Sequence, residues 1–91
     1  MAKPVEQVMT QGVKRLQLSP VLLATLFGTA QKHLHLSTFI AFHPKGSQVQ
    51  ATDGNGKTLE TLNVALPTKI WIIFDDYGNR WVATALLPDE Y

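Results

Sequence analysis

The three histidines are the side chains of this 91-residue chain that could bind a metal ion or transfer a proton. His33 and His35 are two residues apart, a spacing that points both side chains the same way only in a strand, whereas here they lie at the end of a predicted helix. A zinc site needs further ligands, and the nearest carboxylates to His43, those of Asp53 and Glu60, stand at no spacing typical of such a site. We therefore expect no metal site and no cofactor.

Other catalytic patterns are missing from the sequence or have a simpler explanation. The chain has no cysteine, which excludes thiolate nucleophiles and disulfides, and it lacks the G-x-S-x-G motif of serine hydrolases. The pair Asp75-Asp76 stands at the mouth of a predicted hairpin, where turn chemistry accounts for it. The stretch Gly54-Asn55-Gly56-Lys57 resembles a phosphate-binding loop but has neither the glycine spacing nor a following helix. The sequence thus predicts a protein that is not an enzyme and has no evident small-molecule substrate.

The stretch 19–38 has the skeleton of a DNA-binding helix-turn-helix motif. Ala24 is small enough for two helices to cross, Gly28 could take the left-handed turn, and Leu34 could seat a second helix on the core. The second helix would present Gln31, Lys32, His33 and His35 to base edges, with Lys14 and Arg15 of the preceding helix on phosphates. The alternative, which we favour, is one long buried helix in which Gly28 lies at a close helix-packing contact.

The composition is that of a folded domain, with 45% apolar and 16% charged residues. The first fifty residues hold five basic side chains and one acid, whereas the rest of the chain holds three basic side chains and six acids. Such an asymmetry is one mark of a surface that binds a polyanion. The N-terminal segment lacks the apolar core of a signal peptide, and no apolar run is long enough to span a bilayer. We therefore expect a cytoplasmic protein that does not contact a membrane.

Two helices are predicted in the first third of the chain. Apolar residues recur at helical spacing after Pro4, which predicts a first helix over 4–16. Ser19-Pro20 is a capping hydroxyl followed by a proline, a combination typical of a helix start, and the second helix runs from there to about His33. The second helix is apolar almost all round, so we expect it to be buried on nearly all sides, in part by a second copy of the chain.

From Ser37 onward the apolar period changes from 3.6 to 2, which predicts strands. A three-residue loop at 44–46 would pair Ala41 with Val49 on one face of the first hairpin. Strands joined in this way form an antiparallel meander of four to five strands, and the predicted fold class is α+β with an N-terminal helix pair packed on that meander. We expect a single domain with the ranges 1–91 overall, 4–35 for the helical part and 38–88 for the antiparallel sheet.

The last predicted hairpin carries the most prominent apolar surface. A loop at 76–78 that ends in glycine would pair Ile73 with Trp81. Trp71, Ile73 and Trp81 would then share one face, while the alternate residues of the hairpin cover the helices. Aromatic residues dominate the energetics of protein interfaces. We therefore predict a protein-binding surface made of this face and a rim, namely Trp71, Ile73, Tyr77, Arg80 and Trp81.

The predicted order of elements is similar to the layout of small bacterial ribonuclease toxins of the RelE and ParE kind, which are about this long. The resemblance implies that His43 would act as a base on a phosphodiester, while Lys45 and Arg80 would stabilise the charge that develops on the phosphate. It rests on element order alone, because no motif of that family is matched. Those toxins tend to be strongly basic, whereas the net charge of this chain is only +1.

The functional prediction from the sequence is a small regulatory or adaptor module without catalytic activity. Its apolar surface exceeds what one copy is expected to bury, so we predict a protein partner and a homodimer, with nucleic acid as a possible partner. The first alternative is a DNA-binding regulator that uses the helix-turn-helix at 19–38. The second alternative is the ribonuclease toxin.

Overall fold

The N-terminal segment begins with a strand where the sequence predicted a helix. The computed structural model describes residues 3–91, in which Val5–Met9 form strand β1 and only Gln11–Arg15 form helix α1. Residues four positions apart, such as Val5 and Met9, share a face in a strand as well as in a helix. The spacing of apolar residues therefore did not distinguish a strand from a helix here. The predicted helix over 4–16 is therefore wrong, and the predicted helical part of the domain starts with a strand.

The second helix is confirmed, but its surroundings differ from the prediction. Helix α2 spans Pro20–Lys32, and the Ser19 hydroxyl caps it by accepting a hydrogen bond from the Leu22 N–H at 3.1 Å. The helix continues through Gly28, which is exposed and has open space where a Cβ would stand. Val21 is 78% exposed. The predictions that α2 is buried on nearly all sides and that Gly28 makes a close packing contact are therefore wrong.

Within residues 3–91 no helix is long and apolar enough to cross a bilayer.

The rest of the domain is a mixed sheet of six strands, so the predicted helix pair on an antiparallel meander is wrong. The α+β class holds only loosely, because the regular secondary structure of the described residues is mostly strand. Strands β1-β6-β5-β2-β3-β4 lie side by side in that order, with β1 parallel to β6 and all other neighbours antiparallel. The later elements are β2 Phe39–Lys45, β3 Gln48–Thr52, β4 Thr58–Leu62, β5 Ile70–Asp76, β6 Trp81–Leu86 and a 3₁₀ turn Pro88–Glu90.

Both helices pack on one face of the sheet, here called the covered face, and the core lies between them. The sheet residues buried there are Ile40, Phe42, Val49, Ala51, Ile70, Ile72, Phe74, Ala83 and Ala85. The helices add Val13, Leu26, Phe27 and Ala30 to this core. Residues at the intervening strand positions point to the opposite side, which we call the open face because neither α1 nor α2 lies over it.

The first hairpin turns at a different place from the predicted one. A two-residue turn, Gly46-Ser47, joins β2 to β3, and Gly46 has the positive φ (+61°) that this kind of tight hairpin turn requires. Ala41 consequently pairs with Thr52 instead of Val49. The register differs by three residues, and an odd difference moves one partner to the other face. Ala41 therefore lies on the open face, whereas Val49 is part of the core.

The last hairpin differs from the prediction in the same way. A four-residue loop, 77–80, joins β5 to β6, and Ile73 pairs with Thr84 instead of Trp81. Trp71 and Ile73 lie on the open face, as residues that alternate with the buried positions of β5. Trp81 lies on the covered face, where it packs against the core. The prediction that these three side chains share one face is therefore wrong for Trp81.

The C-terminal turn is fastened to the start of α1 by one carboxylate. Glu90 accepts hydrogen bonds from the Thr10 hydroxyl at 2.6 Å, from the Leu87 N–H at 2.8 Å and from the Gly12 N–H at 3.1 Å. Gly12 leaves room for this contact, because a Cβ there would stand 2.6 Å from the Glu90 carboxylate. The three donors, the Thr10 hydroxyl foremost, hold the pKa of Glu90 below its usual value.

This contact predicts part of the acid sensitivity of the fold. Because the pKa of Glu90 is lower in the folded state than its usual value of 4.5, its ionised form stabilises the fold above that pH and the contribution is lost as the pH falls through the lower folded value. Glu90→Gln is therefore expected to have a lower urea midpoint than the wild type at pH 7. On acidification to pH 3, its urea midpoint is expected to fall by less than that of the wild type. Asp89→Asn, one residue away and outside these three bonds, is the control. An equal loss in the wild type and in Glu90→Gln would contradict the prediction.

Candidate functional site

The open face of the sheet contains a groove of about 650 Å³. This volume lies within the range of protein sites that bind small ligands or segments of larger ones. The groove runs over β2, β3 and β5 and is bordered by the turn between β3 and β4. Its main lining residues are Phe39, Ala41, His43, Lys45, Gln50, Thr52, Gly54, Lys69 and Trp71.

A row of three aromatic rings crosses the open face. The rings of Phe39 and Trp71 meet edge to face with their centroids 4.9 Å apart, and the rings of Trp71 and Tyr91 meet in the same manner at 5.7 Å. Phe39 and Trp71 are half-buried, while Tyr91 is 84% exposed. We call these three residues the aromatic row. It presents ring surface to solvent on the side of the sheet that the helices leave uncovered.

The turn between β3 and β4 packs against one end of the aromatic row. The carboxylate of Asp53 accepts hydrogen bonds from the Asn55 N–H at 2.8 Å and from the Lys57 N–H at 3.2 Å, which fixes the shape of the turn. Gly54 has a φ of +84°, and a Cβ at this position would stand 2.6 Å from the Phe39 ring. The absence of a side chain at Gly54 therefore lets the turn lie directly against Phe39.

The basic end of the groove consists of His43, Lys45 and Lys69. His43 and Lys45 alternate along β2 on the open face, and Lys69 precedes β5 at the level of His43. Burial lowers the pKa of His43 below its usual value, and the charges of Lys69 and Lys45 lower it further. The imidazole is therefore neutral at pH 7, and its Nε2 lies 3.3 Å from the Thr52 hydroxyl.

The charges on the open face differ between its two ends. None of the residues that line the groove in the described part of the chain is acidic. At the far end of the sheet Glu6 lies 3.9 Å from the Arg80 Nε, and Asp75 continues the open face of β5. The groove itself is therefore lined by cationic, aromatic and neutral polar side chains. No group of three or more residues within 3–91 is arranged to hold a metal ion.

The predicted protein-binding residues do not form one surface. Trp71 and Ile73 lie on the open face. Trp81 lies on the covered face, where Lys3 stands 4.4 Å from its ring centroid. The remaining two residues pack on each other in the loop beyond β5, with the Arg80 guanidinium 5.0 Å from the Tyr77 ring centroid.

The residues of the helix-turn-helix alternative are not arranged as that motif requires. Residues 20–32 are one continuous helix, which fits the favoured alternative of a single helix. Lys32 and His33 both contact the same oxygen of Glu60, at 2.8 Å and 3.0 Å, and the two contacts lower the pKa of that carboxyl. Four of the predicted contacts, Lys14, Arg15, Gln31 and His35, are exposed on the helical side of the domain.

The residues of the ribonuclease alternative are also not brought together. His43 and Lys45 lie at the end of β2 beside the start of β5. Arg80 lies in the loop beyond the end of β5, and at about 3.3 Å per residue the length of that strand separates it from His43 by roughly 20 Å or more. A single phosphodiester cannot contact both ends of the strand at once.

Sequence reasoning did not assign Phe39, Lys69 or Tyr91 to any site. Alternate positions of two segments, Phe39-x-Ala41-x-His43-x-Lys45 and Lys69-x-Trp71-x-Ile73, could have indicated the shared face. That interpretation needs the correct hairpin register, which the Gly46-Ser47 turn sets. No sequence pattern pointed to Tyr91, because its position beside Trp71 follows from the hydrogen bonds that Glu90 accepts.

No family model, no curated protein and no solved structure matches this chain.

The packing of the turn on Phe39 predicts different costs for two similar substitutions. Gly54 and Gly56 both have positive φ, +84° and +91°, but only a Cβ at Gly54 would meet another residue. Gly56→Ala is expected to lower the free energy of unfolding by about 1–2 kcal/mol from backbone strain alone. Gly54→Ala is expected to cost about 1–3 kcal/mol more, because the Phe39 ring must move. Urea denaturation measures both, and equal costs would show that the turn does not pack on Phe39.

Proposed function

We propose that this protein is a binding module without catalytic activity and that it contacts a macromolecular partner through the open face of its sheet. The observation that carries the proposal is the aromatic row. Phe39, Trp71 and Tyr91 place ring surface in solvent beside a groove, and partly exposed aromatic side chains of this kind are the usual anchors of binding interfaces.

The helical side of the domain offers less to a partner. Its exposed apolar side chains, Val21 and Leu36, are 78% and 57% exposed, but Val21 lies in the first turn of α2 and Leu36 lies beyond its last residue. Isolated exposed apolar residues are common on protein surfaces and mark no site by themselves. The open face instead combines clustered aromatic rings with a groove, and this combination favours it as the contact surface.

The same geometry favours a role without catalysis. His43 has a lowered pKa, and its surroundings are the Thr52 hydroxyl and two nearby lysines. It lies far from Arg80, the other group that phosphodiester cleavage would use. A neutral histidine in this setting can accept or donate a hydrogen bond to a bound partner.

Photo-crosslinking tests this proposal in the native cell. The photoreactive residue p-benzoyl-phenylalanine replaces Trp71 in one strain and Val21, on the exposed side of α2, in another. We expect a discrete covalent adduct from position 71, because the partner covers the aromatic row, and none from position 21. Circular dichroism of both purified variants confirms that the fold is intact.

The proposal fails if position 71 gives no adduct, or if positions 71 and 21 give the same adducts. Nuclease and protease digestion of the adduct identifies its class. An adduct of twice the monomer mass that contains only this chain would identify the partner as a second copy, which is the homodimer predicted from the sequence.

A further inference from the structure

The aromatic row and the lysines stand together in an arrangement suited to one class of partner. Rings at centroid separations of 4.9 Å and 5.7 Å form a continuous apolar path over the sheet. Lys69, two residues before Trp71 on the chain, and Lys45, at the end of β2, are both exposed and lie on one side of that path. A polymer that alternates flat apolar groups with negative charges would contact the rings and the lysines at the same time.

We propose, building on the function proposed above, that the partner is a single-stranded nucleic acid whose bases stack on Phe39, Trp71 and Tyr91 and whose phosphates contact Lys45 and Lys69. Base stacking on aromatic rings beside a cationic groove is the general mode by which proteins bind single strands. Stacking needs the faces of the bases, which a duplex keeps inside its own stack, so the open face favours single strands over duplex.

The floor of the groove supports the same assignment. Gln50, which pairs with His43 across β2 and β3, provides a neutral hydrogen-bonding group in the groove. The neutral imidazole of His43 adds another, since burial and the two lysines lower its pKa. Such groups can pair with base edges without repelling phosphate, and none of the lining residues carries a negative charge.

Fluorescence anisotropy with labelled dT12 and rU12 at about 50 mM salt tests the inference. The wild type is expected to bind these 12-mers more tightly than a 12-bp duplex and more tightly than a 12-residue polyglutamate. Trp71→Ala, and separately the pair Lys45→Gln and Lys69→Gln, are each expected to weaken binding at least tenfold. The lysine pair is also expected to reduce the slope of log Kd against log salt by about 1.4, or about 0.7 for each phosphate that the protein no longer neutralises.

The matched control is Lys14→Gln with Arg15→Gln, which removes the same charge from the helical side. It is expected to change affinity by less than twofold. A second readout uses single-tryptophan variants: the 12-mers are expected to quench Trp71 in Trp81→Phe and to leave Trp81 unchanged in Trp71→Phe. Circular dichroism and urea midpoints verify that each variant is folded.

The inference is overturned if the 12-mers do not bind at low salt, or if duplex or polyglutamate binds with equal affinity. It is also overturned if the Lys14 and Arg15 substitutions weaken binding as much as the Lys45 and Lys69 substitutions. The crosslinking experiment separates this failure from failure of the proposed function. A protein adduct from position 71, together with no binding of the 12-mers, would overturn the nucleic-acid partner and leave the binding face in place. No adduct at that position would overturn both.

Discussion

Strand β5 is apolar on both faces, and the rest of the architecture follows from how the chain covers them. Ile70, Ile72 and Phe74 point to the core between the sheet and the helices, where they are almost fully buried. Trp71 and Ile73 point the other way, because successive side chains in a strand alternate between its faces. The described residues form only one helical layer, and it lies on the first of these faces. The second face therefore keeps half-buried aromatic surface, which is the basis of the proposed binding role.

Two local features complete that second face. The turn after β3 lies against Phe39 because Gly54 has no side chain and tolerates a positive φ. At the other end, the Glu90 carboxylate fastens the C-terminal turn to the start of α1, which places Tyr91 beside Trp71. Both features lie outside the strands, so the open face and its aromatic row depend on interactions that a pattern of alternating residues does not encode.

The sequence predicted the elements with the clearest local signals and failed where two interpretations shared one pattern. Ser19-Pro20 located the start of α2, since capping is a local interaction. The spacing of apolar residues in Val5–Met9 fitted a helix as well as a strand, and its parallel pairing with β6 joins residues more than seventy positions apart. The hairpin registers depended on which residues formed each turn. The predicted turns differ from those in the structure, and they placed Trp81 on the same face as Trp71, whereas it lies on the covered face. The sequence therefore grouped Trp71 with Trp81 instead of with Phe39 and Tyr91.

The uncovered face can be measured directly in solution. The chain has four isoleucines, of which Ile40, Ile70 and Ile72 are fully buried on the covered face while Ile73 lies on the open face. A sample labelled at the isoleucine δ1 methyl groups would give four signals, whose relaxation by a soluble paramagnetic probe reports their access to solvent. We expect strong relaxation of Ile73 and weak relaxation of the other three. Equal protection of all four methyl groups would show that something already covers this face of the free protein, and would contradict the proposal that it is open to a partner.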